Sequence, residues 1–303
     1  MRKRTAWVSL STVQLRSIKA LTMLGLALSL IVVPARSQTV PQRSGSAVSY
    51  LTRGKAQMAK GHLNEALVDF DTAIKFEPGF AAAYYERARV LAVRGDLASA
   101  IGDFTKAIEI NSRFVMAYDG RGNAYLSKGD MVAAIADFNR AIEIDPRYAP
   151  AYVNRGAVRQ LKGQFNEAIA DFDKAISING RLAQAYNNRG AVRMALGNMD
   201  GAIVDFDKAI AINPRLVAAY NDRGTARLEK GNIDRALSDF NIALEKDPGY
   251  VWAYLNRGIA LVLKGKKSEG ERDFATCREL DPNFKFPINE RIDALKHRLS
   301  IKD

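Results

Sequence analysis

The chain has 303 residues, of which 48% are hydrophobic, and it carries a formal net charge of +12. This apolar content is ample for a buried core and excludes an intrinsically disordered chain. Because Cys277 is the only cysteine and there are only two histidines, the composition also excludes an intramolecular disulfide and a Cys/His metal framework.

The positive charge is distributed unevenly along the chain. Six of the 45 basic residues fall within residues 1–37, a segment that contains no acidic residue. Over the rest of the chain the excess of basic residues is small, and the two signs are interspersed. A nucleic-acid-binding protein is expected to show a clustered basic face. We therefore do not predict nucleic-acid binding.

The N-terminal segment has the three parts of a secretory signal peptide. A basic stretch precedes the apolar run Leu21–Val33, and the small residues Ala35 and Ser37 follow. This order predicts a signal peptide over residues 1–37, with cleavage after Ser37 and export to the periplasm or the exterior. The apolar run is shorter than the roughly 20 residues of a membrane-spanning helix. The alternative is an uncleaved anchor that tethers the protein to the membrane, facing outside the cytoplasm.

A short linker, residues 38–46, separates this segment from a 34-residue repeat that continues to residue 284. One position of the repeat is tyrosine in all seven units, and the position three residues later is always arginine. The tyrosines are Tyr50, Tyr84, Tyr118, Tyr152, Tyr186, Tyr220 and Tyr254. Self-similarity at a fixed period is typical of repeat proteins. The predicted units are 47–80, 81–114, 115–148, 149–182, 183–216, 217–250 and 251–284.

Each unit predicts two helices joined by a tight turn. In the first unit, Ala66, Phe70 and Ala73 recur at the spacing of one face of the second helix. Gly61 stands between the two helices, where the chain needs a residue in the left-handed conformation. Pro78 ends the second helix, as prolines do in most other units. The pattern therefore predicts an all-α chain of helical hairpins.

We call the set of equivalent positions in the seven units a column. Together, these columns resemble the sequence pattern of the tetratricopeptide repeat family. The family pattern W-x2-L-G-x2-Y…A-x3-F…A…P appears here as Y-x2-R-G in most units, followed by A-x3-F-x2-A and P. Two columns depart from it: arginine replaces the leucine in every unit, and only Tyr125 keeps the second aromatic. The resemblance implies a right-handed α-solenoid of helix-turn-helix repeats. It also implies a non-catalytic scaffold that binds proteins or peptides.

The recurring charged residues have an architectural interpretation. The columns of Arg53 and Asp69 should face each other across each hairpin, so we interpret them as ion pairs that lock it. The alternative is a row of anion sites. Cys277 stands in a column of small packing residues, and we predict a buried core residue rather than a nucleophile. Since no residues remain for a catalytic domain, we predict no enzyme activity, no cofactor and no metal.

The resemblance implies that ligands lie in a concave groove lined by the first helices. The resemblance implies that the columns of Val48, Leu51, Lys55, Met58 and Ala59 face this groove. These columns vary between units, while the packing columns do not. Amide side chains in these columns can pair with a peptide backbone as donor and acceptor. The candidate peptide-binding residues are Tyr85, Arg89, Asp119, Asn123, Val153, Asn187, Met194, Asn221, Trp252, Leu255 and Ile259.

The arginines that replace the second aromatic in three successive units have two possible roles. They either form a basic strip for an acidic partner, or their aliphatic stems fill the place of the aromatic while their guanidinium groups reach water. The arginines are Arg159, Arg193 and Arg227.

The C-terminal segment, residues 285–303, carries an apolar stripe at helical spacing. The stripe consists of Ile288, Ile292, Leu295 and Leu299. It predicts a capping helix over the last repeat, with an amphipathic helix for a membrane or a partner as the alternative. The apolar surface of Trp252, Leu255 and Ile259 is accordingly either an anchor pocket for a ligand or the seat of this helix.

Overall fold

The computed structural model describes residues 45–301. The predicted signal peptide at residues 1–37 and most of the predicted linker at 38–46 lie outside these residues. Within residues 45–301 there are fifteen α-helices and no strand. The predicted all-α class is therefore confirmed.

The helices alternate between two kinds, one for each half of the repeat. The first helices have 13 residues each. They are α1 (Ala47–Ala59), α3 (Ala81–Val93), α5 (Val115–Ser127), α7 (Ala149–Leu161), α9 (Ala183–Ala195), α11 (Val217–Glu229) and α13 (Val251–Leu263). The second helices have 14 residues each. They are α2 (Leu63–Phe76), α4 (Leu97–Ile110), α6 (Met131–Ile144), α8 (Phe165–Ile178), α10 (Met199–Ile212), α12 (Ile233–Lys246) and α14 (Lys267–Leu280). A last helix, α15, spans Ile288–Leu299.

The described chain divides into two compact units after Gln164. Unit 1 contains α1 to α7, and unit 2 contains α8 to α15. Inside each unit, a first helix packs along the second helix of its own repeat, and that second helix packs against the first helix of the next repeat. Successive first helices also touch each other. Each unit is therefore a stretch of α-solenoid whose first helices share one face.

The turn within each hairpin depends on glycine because its backbone is left-handed. Gly61 has a φ of +81°, and its equivalents have φ between +72° and +87°. The amide of Gly61 donates to the carbonyl of Met58, and the amide of His62 donates to that of Gln57. These bonds satisfy carbonyls that the end of α1 leaves without helical partners. The glycine column thus fixes where each hairpin turns.

The core of each hairpin is a phenylalanine ring that lies on the backbone of the first helix. Phe70 and Phe138 are fully buried. A Cβ added to Gly54 would lie 2.5 Å from Phe70 Cε1, and one added to Gly122 would lie 2.7 Å from Phe138 Cε1. Glycine lowers helix propensity by about 1 kcal/mol relative to alanine. Its recurrence inside the first helices is therefore explained by the space that the ring requires.

The arginine column connects two hairpins as well as locking one. Arg223 of α11 donates to Asp239 of α12 from Nε (3.1 Å) and Nη2 (2.6 Å), which confirms the predicted pair within the hairpin. Its Nη1 donates to Asp207 of α10, in the preceding repeat, at 2.6 Å. The guanidinium also lies 5.5 Å from the ring centre of Tyr220. Arg223 therefore has partners in both hairpins, and its donors are used inside the protein.

The same bridge recurs in both units with varying partners in the preceding repeat. That partner is Asp71 for Arg87, Thr105 for Arg121, Asn139 for Arg155, Asp173 for Arg189 and Asn241 for Arg257. This column was not predicted from the sequence, although it is polar in six of the seven units. The aspartates of the hairpin pairs are buried, Asp239 to 1% exposure, so the bridges are part of the architecture rather than free anion sites.

Two glycine-to-alanine variants test the contact between the ring and the helix. Gly122→Ala places a methyl group against Phe138, and we expect it to cost about 1–3 kcal/mol, as overpacking does. Gly102→Ala is the matched control, because Gly102 is an exposed helical glycine with no atom within 4 Å of an added Cβ. It should stabilise the protein by up to about 1 kcal/mol. Thermal unfolding followed by circular dichroism measures both, and a stable Gly122→Ala variant would contradict the packing argument.

Candidate functional site

The predicted binding residues all lie on first helices. In unit 1 they are Tyr85 and Arg89 on α3, Asp119 and Asn123 on α5, and Val153 on α7. In unit 2 they are Asn187 and Met194 on α9, Asn221 on α11, and Trp252, Leu255 and Ile259 on α13.

In unit 1, a charged cluster forms around Arg89. Its Nη1 donates to Glu86 Oε2 at 2.6 Å, and its guanidinium lies 5.7 Å from the ring centre of Tyr85. Lys55 Nζ lies 3.6 Å from the other oxygen of Glu86. The Arg89 side chain is 11% exposed, and within the described structure its Nη2 is buried without a hydrogen-bond acceptor. One nitrogen of the Arg89 guanidinium, Nη2, is therefore an unused hydrogen-bond donor in this cluster.

The carboxylate of Asp119 belongs to the same surface. Asn154 Nδ2 donates to its Oδ1 at 2.8 Å, and Asn123 Nδ2 donates to its Oδ2 at 3.3 Å. Burial raises the pKa of Asp119 to about 6, against the lowering effect of the Asn154 hydrogen bond. Burial, assisted by the nearby Asp119 charge, also raises the pKa of Tyr148. The unit 1 surface thus combines cationic donors with a carboxylate acceptor whose pKa is raised to about 6.

In unit 2, the equivalent surface is a network of amides. Asn256 Nδ2 donates to Asn221 Oδ1 at 2.9 Å and to Thr225 Oγ1 at 3.2 Å. Asn221 Nδ2 in turn donates to Asp222 Oδ1 at 3.1 Å. Burial raises the pKa of Asp222 to about 6, while hydrogen bonds from Asn221 and Asn187 lower it. This unit therefore offers a mostly neutral network of donors and acceptors.

Two of the predicted amides are less accessible than sequence analysis expected. Asn187 and Asn221 are each 5% exposed, and Asn187 Oδ1 has no donor within the described structure. The half-buried groups that a ligand would meet first belong to the next column, at Asn188, Asp222 and Asn256. These positions were not among the predicted binding residues. A signal was present, because its members vary yet are polar in six of the seven units.

The apolar end of the surface is covered by the C-terminal helix. Leu255 and Ile259 are each 1% exposed and pack in one cluster with Ile292 and Leu295 of α15. Trp252 is half-buried, with its ring centre 5.1 Å from that of Phe284. In this structure Leu255 and Ile259 are therefore core residues beneath α15 and do not line an open pocket.

The arginines that replace the second aromatic have a role that neither interpretation anticipated. Arg193 Nη1 donates to Asp205 Oδ2 at 2.8 Å, and Arg227 Nη1 donates to Asp239 Oδ2 at 2.8 Å. Their heads pair with the buried carboxylates of their own hairpins. For these two arginines, both the free basic strip and the solvent-directed heads are wrong. The reason is that the interior aspartate accepts from two arginines one helical turn apart.

The remaining candidates for chemistry are structural. Cys277 is 1% exposed, as predicted, and burial raises the pKa of its thiol to about 12. Within residues 45–301, no group of three or more His, Cys, Asp or Glu side chains is arranged to hold a metal ion. No helix in that range combines the length and the apolarity that crossing a bilayer requires.

Comparison with known families identifies the repeats. Tetratricopeptide repeat models match residues 51–115 and 221–280, residues 149–181 and 183–216, and residues 122–163. The chain belongs to the tetratricopeptide repeat family. Tetratricopeptide repeats form protein-interaction scaffolds, and the matching models include no catalytic family. A search of the curated proteins finds no match to this chain.

Several solved structures share this fold. The tetratricopeptide repeat protein from Parabacteroides merdae has a TM-score of 0.62 at 21% identity, covering 84% of this chain and 98% of its own. PilF from Pseudomonas aeruginosa has a TM-score of 0.62 at 15% identity, covering 71% and 96%. The Cut9–Hcn1 hetero-tetramer of the APC/C has a TM-score of 0.71 at 15% identity, covering 81% and 48%. At these identities, the likeness shows the fold alone.

The raised pKa of Asp119 predicts a pH-dependent stability of this tetratricopeptide repeat protein. The folded state binds the proton more tightly than the unfolded chain, whose carboxyl has the ordinary value of 3.8. The carboxyl's contribution to stability therefore falls as pH rises from about 4 to about 6. Asp119→Asn should raise the melting temperature at pH 7, and the difference should shrink below pH 4.

Asp96→Asn is the matched control for the pH experiment. Asp96 caps α4 by accepting from the Ser99 amide at 3.1 Å, and its hydrogen bonds to Ser99 lower its pKa. Its contribution is present at neutral pH and is lost in acid, so the variant should show the opposite trend. A difference between Asp119→Asn and the wild type that did not change with pH would refute the assignment for Asp119.

Proposed function

We propose that this tetratricopeptide repeat protein is a non-catalytic adaptor that acts outside the cytoplasm. It binds peptide or helix segments of partner proteins along its first helices. The observation that carries the proposal is the contrast between two sets of polar residues. The invariant arginines and aspartates satisfy one another inside the hairpins, whereas the polar residues on the first helices vary from repeat to repeat and keep unused bonding capacity.

The two clusters offer different chemistry to a partner. The unit 1 cluster holds the cations Lys55 and Arg89 beside the carboxylates Glu86 and Asp119, so it suits a segment that carries charges of both signs. Charged hydrogen bonds of this kind are stronger than neutral ones. In unit 2, the amides and hydroxyls suit the alternating donors and acceptors of a peptide backbone. The specificity of the adaptor would therefore come mainly from unit 1.

Site-specific photo-crosslinking in cells tests this surface. Val153 of α7 lies on the proposed surface of unit 1, and Met194 of α9 lies on that of unit 2. We expect a photoreactive residue at either position to crosslink to partner proteins. Val132 and Val204 are matched controls, since they are 76% and 65% exposed on second helices. Crosslinks of equal yield from the controls, or from the controls alone, would place binding elsewhere on the molecule.

The proposed location rests on the N-terminal segment. If the signal peptide is cleaved, Edman sequencing of the mature protein should begin at Gln38, and the protein should fractionate with soluble exported proteins. Retention of the apolar run Leu21–Val33 in a membrane fraction would support the alternative, a tethered structural or oligomerisation module. A protein found intact in the cytoplasm would contradict both, because each requires export.

A further inference from the structure

Helix α15 does not continue the solenoid. Each second helix within a unit packs against the first helix of the next repeat, as α12 does against α13. In the described structure α15 makes no comparable contact with α14 and lies instead against α13. Its arginines also reach Glu229 at the end of α11. The helix therefore lies across the first helices of unit 2, on the surface where an interacting segment would bind.

The contact between α15 and this surface has the form of a helix bound in a groove. Ile292 and Leu295 are 7% and 0% exposed and pack with residues of α11 and α13. The surface residues of that cluster are Leu228, Leu255, Ile259 and Leu263. Anchors at successive turns of an amphipathic helix, seated in an apolar groove, are a recurring mode of helix recognition.

Glu229 has no role within the repeat architecture. The equivalent position in the other units is occupied by an uncharged residue: Ala59, Val93, Ser127, Leu161, Ala195 or Leu263. The Glu229 side chain is 6% exposed and pairs with Arg291 and Arg298 of α15. These arginines are seven residues apart, which is two helical turns and places both on one side of α15. Without cations beside it, the buried Glu229 carboxylate would be an uncompensated charge.

We infer that the α11–α13 surface is a binding site for an amphipathic basic helix of another protein, and that α15 occupies it in cis. The inference rests on the proposed function and specifies its ligand in unit 2. The external helix carries apolar residues with the spacing of Ile288, Ile292 and Leu295, and a cation that faces Glu229. It displaces α15, which stays attached through residues 281–287.

The tether explains why the site is closed until a suitable helix arrives. A segment attached by a short linker competes at an effective concentration on the order of millimolar. An external helix that only equals α15 in intrinsic affinity is therefore excluded at ordinary concentrations. Weakening the pairing of α15 with Glu229 should open the site without changing the groove itself.

A fluorescent peptide that copies residues 286–301 tests this with the full chain. The wild type should bind it weakly, and Arg291→Glu should bind it at least about tenfold more tightly, because like charges now oppose α15 at Glu229. Lys285→Glu is the matched control, since Lys285 is exposed and makes the same change of charge just before the helix. A peptide with glutamate at both arginine positions should not bind. Equal affinity of Arg291→Glu and Lys285→Glu for the native peptide would show that α15 is a fixed cap.

Hydrogen exchange on the wild type covers the case in which Arg291→Glu does not fold. Excess peptide, up to about a millimolar, should accelerate exchange of the α15 amides and leave those of α13 protected. Unchanged exchange in α15 would overturn the inference. Neither result affects the crosslinking at Val153 and Met194, so a failed displacement and a failed adaptor function are distinguishable.

Discussion

An arginine side chain that reaches two hairpins at once is the interaction on which the arrangement of each unit depends. Arg189 donates to Asp205 in its own hairpin and, through Nη1, to Asp173 in the preceding repeat. The phenylalanine ring brings the two helices of one hairpin together without a directional bond, whereas the fork of the guanidinium sets the angle between neighbours. Because the buried carboxylate would be costly without its cation, both columns must be kept in every repeat.

This requirement separates scaffold from surface. The tyrosine and arginine of each first helix, and the glycine that most of them contain, are committed to packing against the second helices, so the first helices have few positions left that can vary. In unit 1 these positions collect Lys55, Glu86, Arg89 and Asp119, and in unit 2 they collect amides with Asp222. The contrast means that one backbone presents two chemically different surfaces.

The C-terminal helix α15 determines whether apolar residues of the last repeat are exposed or buried. Without α15, Leu255 and Ile259 would be a large exposed apolar patch, which monomeric proteins rarely present. With α15 in place they are core, and Glu229 gains the two cations that its burial requires. The same contact thus covers the apolar residues and supplies the cations that Glu229 pairs with.

The sequence by itself determined the repeat, the position of every hairpin and the pairing of Arg53-type with Asp69-type residues, because these follow from periodicity and helix geometry. It could not determine the second partner of each arginine, since Asp207 and Arg223 meet only when hairpins stack. Nor could it show that Arg227 shares Asp239, or that Asn187 and Asn221 lie buried while Asp222 is half-buried. The seat of α15 was likewise decided by tertiary structure, because an apolar stripe fixes which face of a helix is buried but not which surface it is buried against.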